Sequence, residues 1–215
     1  MKKLIIAIFS TFLITTFINA QEKAFQLFDS EGKKTSYKLM LKKAKKADIV
    51  LFGENHNDPI SHWLQLELTK DFFEEYGENL ILGAEMFESD DQIKLNEFLA
   101  GFIREKDFEK EAKIWPNYKT DYKPLITFAK ENNLHFVATN IPRRFANIVY
   151  RCGIDTLEYL PDASKQFIAP LPILYDTSLR CYKEISLMAE GHVSENLPKS
   201  QAIKDATMAY FIHLN

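Results

Sequence analysis

An α/β fold, with a largely parallel sheet flanked by helices and a helical, aromatic insertion, is predicted by three features of the 215-residue sequence. Short continuous apolar runs at 49–52, 80–82 and 136–138 read as strands buried on both faces. Stretches with helical spacing of apolar residues separate those runs, the alternation expected of parallel strands joined by helical crossovers. Each run is also followed by polar residues, at the strand ends where such sheets gather their ligand-binding loops.

The elements follow in order. Lys2 and Lys3 precede an apolar run to Ile18 that ends at Asn19 and Ala20, the layout of a secretory signal peptide over residues 1–20 with cleavage after Ala20. A single domain over 21–215 is then expected, in an exported protein of the periplasm or envelope periphery. No cysteine lies near the cleavage point, so the chain does not read as a lipoprotein. Phe25 to Phe28 followed by Asp29-Ser-Glu-Gly32 reads as a strand and turn of a hairpin, and lysines interleaved with apolar residues over 37–46 as a solvated amphipathic helix. Pro59, preceded by Asn57 or Asp58 as cap, opens a helix through Leu64, Leu68 and Phe72. Further helices are expected over 90–103 and from Pro124 to Asn132. The aromatic, proline-containing stretch with Trp115, Tyr118 and Tyr122 is the insertion.

Composition excludes less. Hydrophobic residues make up 46% of the chain, enough for a core, and 27 basic against 30 acidic residues give a formal charge of −3. That balance offers no general attraction to nucleic acid. Cys152 and Cys181 stand in no CxxC and beside no histidine; one disulfide and two separate thiols both stay open.

Function is read from the strand ends. Glu54 and His56 follow the first run, Glu85 the second, and Asn140, Arg143 and Arg144 the third. His62 falls in the first turn of the helix behind the first strand, placing two imidazoles and one or two carboxylates within reach of one point. Such a set suits a divalent transition metal, with Glu54, His56, His62 and Glu85 as ligands, or acid/base work near neutral pH. The spacing is not HExxH. Gly53 is expected to allow close approach of a ligand.

Five motifs in order then carry a resemblance: LFGENHNDP at 51–59, GAEMF at 83–87, WPNY at 115–118 with Tyr122 and Pro124, ATNIPRR at 138–144 and DATMA at 205–209. The chain resembles the ChaN family of haem-binding, iron-regulated uptake proteins, within the Tiki/TraB and erythromycin-esterase-like superfamily. What the resemblance implies is an exported protein of haem or iron acquisition that holds haem in a crevice at the strand ends. It also implies a homodimer with tyrosine-type iron ligation, and the outer-membrane haem-uptake machinery as a partner. Under it, His56, His62, Trp115, Tyr118, Tyr122, Asn140, Arg143 and Arg144 are the candidate haem-binding residues, the two arginines pairing with propionates. Relative to the family pattern, the last strand and loop are expected to be absent. Glu54, His56 and Glu85 match the active centre of the superfamily's metal-dependent hydrolases, the alternative to a binding protein without enzymatic activity.

Overall fold

The computed structural model describes residues 25–188 and 194–215, so the expected signal peptide lies outside the described residues. The chain divides into two compact units, one through Ala44 and one from Lys45.

In the first unit, β1 (Leu27–Phe28) and β2 (Lys34–Thr35) pair antiparallel as the expected hairpin. The Asp29 carboxylate accepts the backbone N–H groups of Glu31 and Lys33 at 3.0 and 2.9 Å, and Gly32 takes the positive φ of 74° that the turn requires. Helix α1 follows (Tyr37–Ala44) and buries none of its residues.

The second unit opens on α2 (Pro59–Tyr76), with Asp58 as its cap: the carboxylate accepts the Ile60 N–H at 3.0 Å, and Pro59 needs no donor at the first helical position. Two parallel strands form the sheet, β3 (Ile81–Glu88) and β4 (His135–Asn140). Between them lie α3 (Gln92–Leu99), α4 (Glu105–Glu111), a π-helical turn (Tyr118–Tyr122) and α5 (Lys123–Glu131). After β4 come α6 (Arg143–Cys152), the short α7 (Asp162–Lys165), α8 (Arg180–Met188) and α9 (Leu197–Leu214). Helix α9 packs on β4 and α6. None of the helices among the described residues is long and apolar enough to cross a membrane.

Two apolar clusters hold this unit. One is aromatic: Phe98 and Phe108 stack with centroids 4.8 Å apart, Phe87 meets Phe136 edge to face at 5.8 Å, and Tyr118 closes the group. The other joins α6 to α9 through Phe145, Val149 and Ile203. At Gly83 an added Cβ would stand 3.2 Å from Thr139 Cγ2, so the close approach of β3 to β4 there suits glycine.

Two expectations are corrected. The run 49–52 is no strand: Ile49, Val50 and Leu51 are 60, 39 and 79% exposed. Its flanks are tied along α2 instead, Lys45 by an ion pair to Glu75 at 2.5 Å and a hydrogen bond from the Tyr76 hydroxyl to its carbonyl, and Glu54 by Gln65. Held at both ends along a helix, the segment makes no ladder with the edge of β3. Strand β3 itself runs on to Glu88, so Glu85 lies inside the strand with its side chain exposed rather than at its end. The cysteines are both free and exposed.

The outer edge of β4 is closed by a side chain. Gln92 donates to the Phe136 carbonyl at 2.8 Å and accepts the Ala138 N–H at 2.6 Å, taking the place of a neighbouring strand. Gln92→Leu removes both bonds and leaves a buried donor and acceptor unpaired. The expected loss is about 2 kcal/mol in urea unfolding, with Gln92→Glu recovering part of it by keeping one acceptor.

Candidate functional site

The strongest convergence of expected residues is on Glu54, and it is assembled by three elements. The loop after the exposed 49–52 segment carries Glu54 and His56, the first turn of α2 carries His62, and the π-helical turn with its preceding residues carries Trp115 and Tyr122. The wide π turn is what directs Tyr118 and Tyr122 inward together, each 1% exposed.

Glu54 accepts from the Tyr122 hydroxyl and from Gln65 Nε2, both at 2.6 Å, and faces His56 Nδ1 at 3.1 Å and His62 Nδ1 at 3.3 Å. Burial works to raise its pKa, but the hydrogen bonds from Tyr122, His56 and Gln65 and the attraction of His62 outweigh it and hold the carboxyl below its ordinary value. Glu54 is therefore an ionised acceptor, which makes Nδ1 of His56 the donor; in the neutral form of the imidazole, Nε2 then carries the lone pair. The His56 side chain is 50% exposed and meets the Trp115 ring edge to face at 4.7 Å. Its backbone is pinned as well: the carbonyl accepts from His62 Nε2 at 3.0 Å and from Asn117 Nδ2 at 2.7 Å.

His62 has a different position. Nε2 donates to the His56 carbonyl and lies 3.7 Å from Asp121 Oδ2, while Nδ1 faces Gln65 Oε1 and Glu54 Oε2, each at 3.3 Å. Both nitrogens are engaged and the side chain is 3% exposed, so His62 fastens the loop to α2 and offers no ligating atom.

Tyr122 and Tyr118 are both buried. Burial pushes both hydroxyls above the ordinary phenol range, helped by the Glu54 hydrogen bond and charge at Tyr122 and by the charges of Glu105 and Glu109 at Tyr118. Tyr118 packs against Phe108, and its hydroxyl has no hydrogen-bond partner among the described residues.

The other expected residues stand in separate groups. The Asn140 amide donates to the Glu85 carbonyl at 3.0 Å, and its own buried oxygen has no hydrogen-bond partner. Arg144 is committed to Asp90, which also binds Lys113 at 2.9 Å, and Lys113 reaches Glu88 at 2.8 Å. These cations hold the Asp90 carboxyl below its ordinary value against the opposing effect of burial. Arg143, exposed at the start of α6, has no ionic partner among the described residues.

The expected metal shell is thus not assembled. Among the described residues no group of three or more His, Cys, Asp or Glu side chains is placed to hold a metal ion. His62 is fully engaged, and no hydrogen bond or ion pair joins Glu85 to Glu54 or His56. The start of α2 is already capped by Asp58, which takes the position an anion would fill. At Gly53 an added Cβ would meet nothing within 4 Å, leaving open space beside the loop. Two surface hollows of about 420 and 300 Å³ lie elsewhere, lined by none of these residues.

Gln65, Asn117 and Asp121 belong to the cluster and were not expected. Gln65 follows His62 by three residues on the same helix face, a spacing that signals it. Asn117 and Asp121 flank the tyrosines, and nothing in their spacing announces a π turn.

The family model described as haem-binding uptake, Tiki superfamily, ChaN matches residues 40–215. A solved structure showing cofacial heme binding to ChaN of Campylobacter jejuni is similar in fold, with a TM-score of 0.59 and 18% identity. The similarity covers 86% of this chain and 74% of that one. No curated protein matches.

Proposed function

The chain belongs to the ChaN family of haem-binding uptake proteins in the Tiki superfamily, and from that premise we propose that it is an exported protein of iron acquisition that binds haem with His56 as axial ligand. The observation that carries the reading is the Glu54–His56 pair. An imidazole held by a carboxylate through Nδ1, in a side chain half exposed to solvent, is the arrangement in which a histidine is oriented for a metal. Bound haem supplies the iron centre and a large apolar plane with two anionic propionates.

The residues present fit that group. His56 offers one free nitrogen, the Trp115 ring beside it an apolar surface, and Glu54 an orienting charge fixed by Tyr122 and Gln65. Arg143, unlike Arg144, retains a guanidinium for a propionate. Tyr118 and Tyr122 act from behind: Tyr122 holds Glu54, and Tyr118 fills the aromatic core. A homodimer and the outer-membrane uptake machinery complete the proposal as partners. The reading favours binding over the hydrolase alternative because the Glu54–His56 pair supports an axial ligand.

Hemin titrated into the purified protein tests this. A shifted Soret band and a chromophore that stays with the protein through desalting are expected. Hemin whose spectrum is unchanged and which separates on the column contradicts the reading.

A further inference from the structure

The strongest charge asymmetry in the chain lies outside the haem site. From Lys33 to Lys46 the sequence carries seven lysines and no acidic residue, which leaves 20 basic against all 30 acidic residues elsewhere. Among the described residues of the first compact unit the cations are nearly free. Lys33 pairs with Glu31 at 2.6 Å, but Lys34, Lys38, Lys42 and Lys43 have no anionic partner among the described residues, and all four are exposed.

Helix α1 arranges three of them around one apolar side chain. Leu39 is 46% exposed, and on an α-helix its neighbours at three and four residues are Lys42 and Lys43, with Lys38 adjoining in sequence. Lys38 and Lys42 are themselves four apart and share a face. In the hairpin, Lys34 is paired across the ladder with Phe28, which is 57% exposed. Unpaired ammonium groups beside exposed Leu and Phe side chains match the boundary of an anionic bilayer, where apolar atoms enter the interface and lysines stay at headgroup level.

We infer that the unit formed by the β1–β2 hairpin and α1 is a docking surface for anionic phospholipid, held by Lys34, Lys38, Lys42 and Lys43 with Leu39 inserted at the interface. Such a membrane attracts this basic segment and repels the remainder of the chain, which carries 20 basic against 30 acidic residues. The surface acts independently of haem, so neither claim depends on the other.

Co-sedimentation of the full chain with vesicles tests it, using phosphatidylcholine alone and phosphatidylcholine mixed with phosphatidylglycerol. The apolar run at 4–18 partitions into either kind, so the readout is the ratio between them. Binding is expected to favour the anionic vesicles and to fall with added salt. Replacing Lys38, Lys42 and Lys43 together by glutamine, a comparable helix former, is expected to lower that preference by about fivefold per lysine, roughly a hundredfold in all. Hemin binding by the triple variant should equal that of the parent. Equal binding to both vesicle types, a triple variant that binds as the parent does, or tighter binding to duplex DNA than to anionic vesicles at the same salt would overturn the inference.

Discussion

Glu54→Ala is expected to destabilise the second unit by about 2–4 kcal/mol, measured as a lower urea midpoint at unchanged slope. The carboxylate is 11% exposed, is the common acceptor for Tyr122, Gln65 and His56, and lies 3.3 Å from His62 Nδ1. Removing it strands the hydroxyl of Tyr122, which is 1% exposed, and releases the loop that carries His56. Glu54→Gln keeps one acceptor for Tyr122 and should cost less than half as much. A Glu54→Ala protein within about 0.5 kcal/mol of the parent would show that water replaces the carboxylate without loss.

The same residue shapes the acid limb of stability. Its folded pKa lies below the unfolded one, so its contribution is complete above the ordinary carboxylate range, near pH 4.3, and is lost as pH falls through the lower folded value. Asp90, lowered by Arg144 and Lys113 against burial, follows the same sign. Stability should therefore fall below about pH 4, and less steeply in Glu54→Ala, since one of the two carboxylates no longer takes part.

Phe108→Ala is the second large effect, about 3–5 kcal/mol. The ring is 0% exposed, stacks on Phe98, and also touches Phe87 and Tyr118, so its removal opens a cavity in the centre of the aromatic cluster. The ring projects from α4 onto Tyr118 of the π turn, and a cavity there loosens the turn that places Tyr122 under Glu54. Thermal unfolding should show the loss, and Phe108→Leu should recover part of it. A near-neutral Phe108→Ala would mean that the cluster closes up around the gap.

Local chemistry made much of this legible in the sequence. The hairpin turn was announced by Asp29 and Gly32, the start of α2 by Asp58 and Pro59, and β3 and β4 by their apolar runs. The meeting of Glu54, His56, Trp115 and Tyr122 was anticipated in part, because a loop behind a helix start and an aromatic insertion were both identified. What local pattern does not encode is competition between partners. Four apolar residues at 49–52 read the same whether a neighbouring strand receives them or the flanks are tied along α2. Arg143 and Arg144 are adjacent and alike, yet Asp90 captures only the second. Glu85 follows an apolar run at 80–82 that reads as a complete strand, whereas Gly83 serves the close packing of β3 on β4 and the strand runs on through Glu88. Tyr118 and Tyr122 read as ligands, and only the π turn reveals that both face inward.

The central claim is that His56, oriented by Glu54, is the group that holds haem iron. Hemin binding by the parent, His56→Ala, Glu54→Gln and Tyr122→Phe, followed by Soret absorption and by the ligand-sensitive lines of resonance Raman spectra, tests it most directly. The account predicts an imidazole-ligated spectrum for the parent, its loss in His56→Ala, an affinity about 10–100-fold weaker in Glu54→Gln, and an axial-ligand signature in Tyr122→Phe that matches the parent. A parent-like spectrum in His56→Ala, or a tyrosinate signature that disappears in Tyr122→Phe, would contradict it.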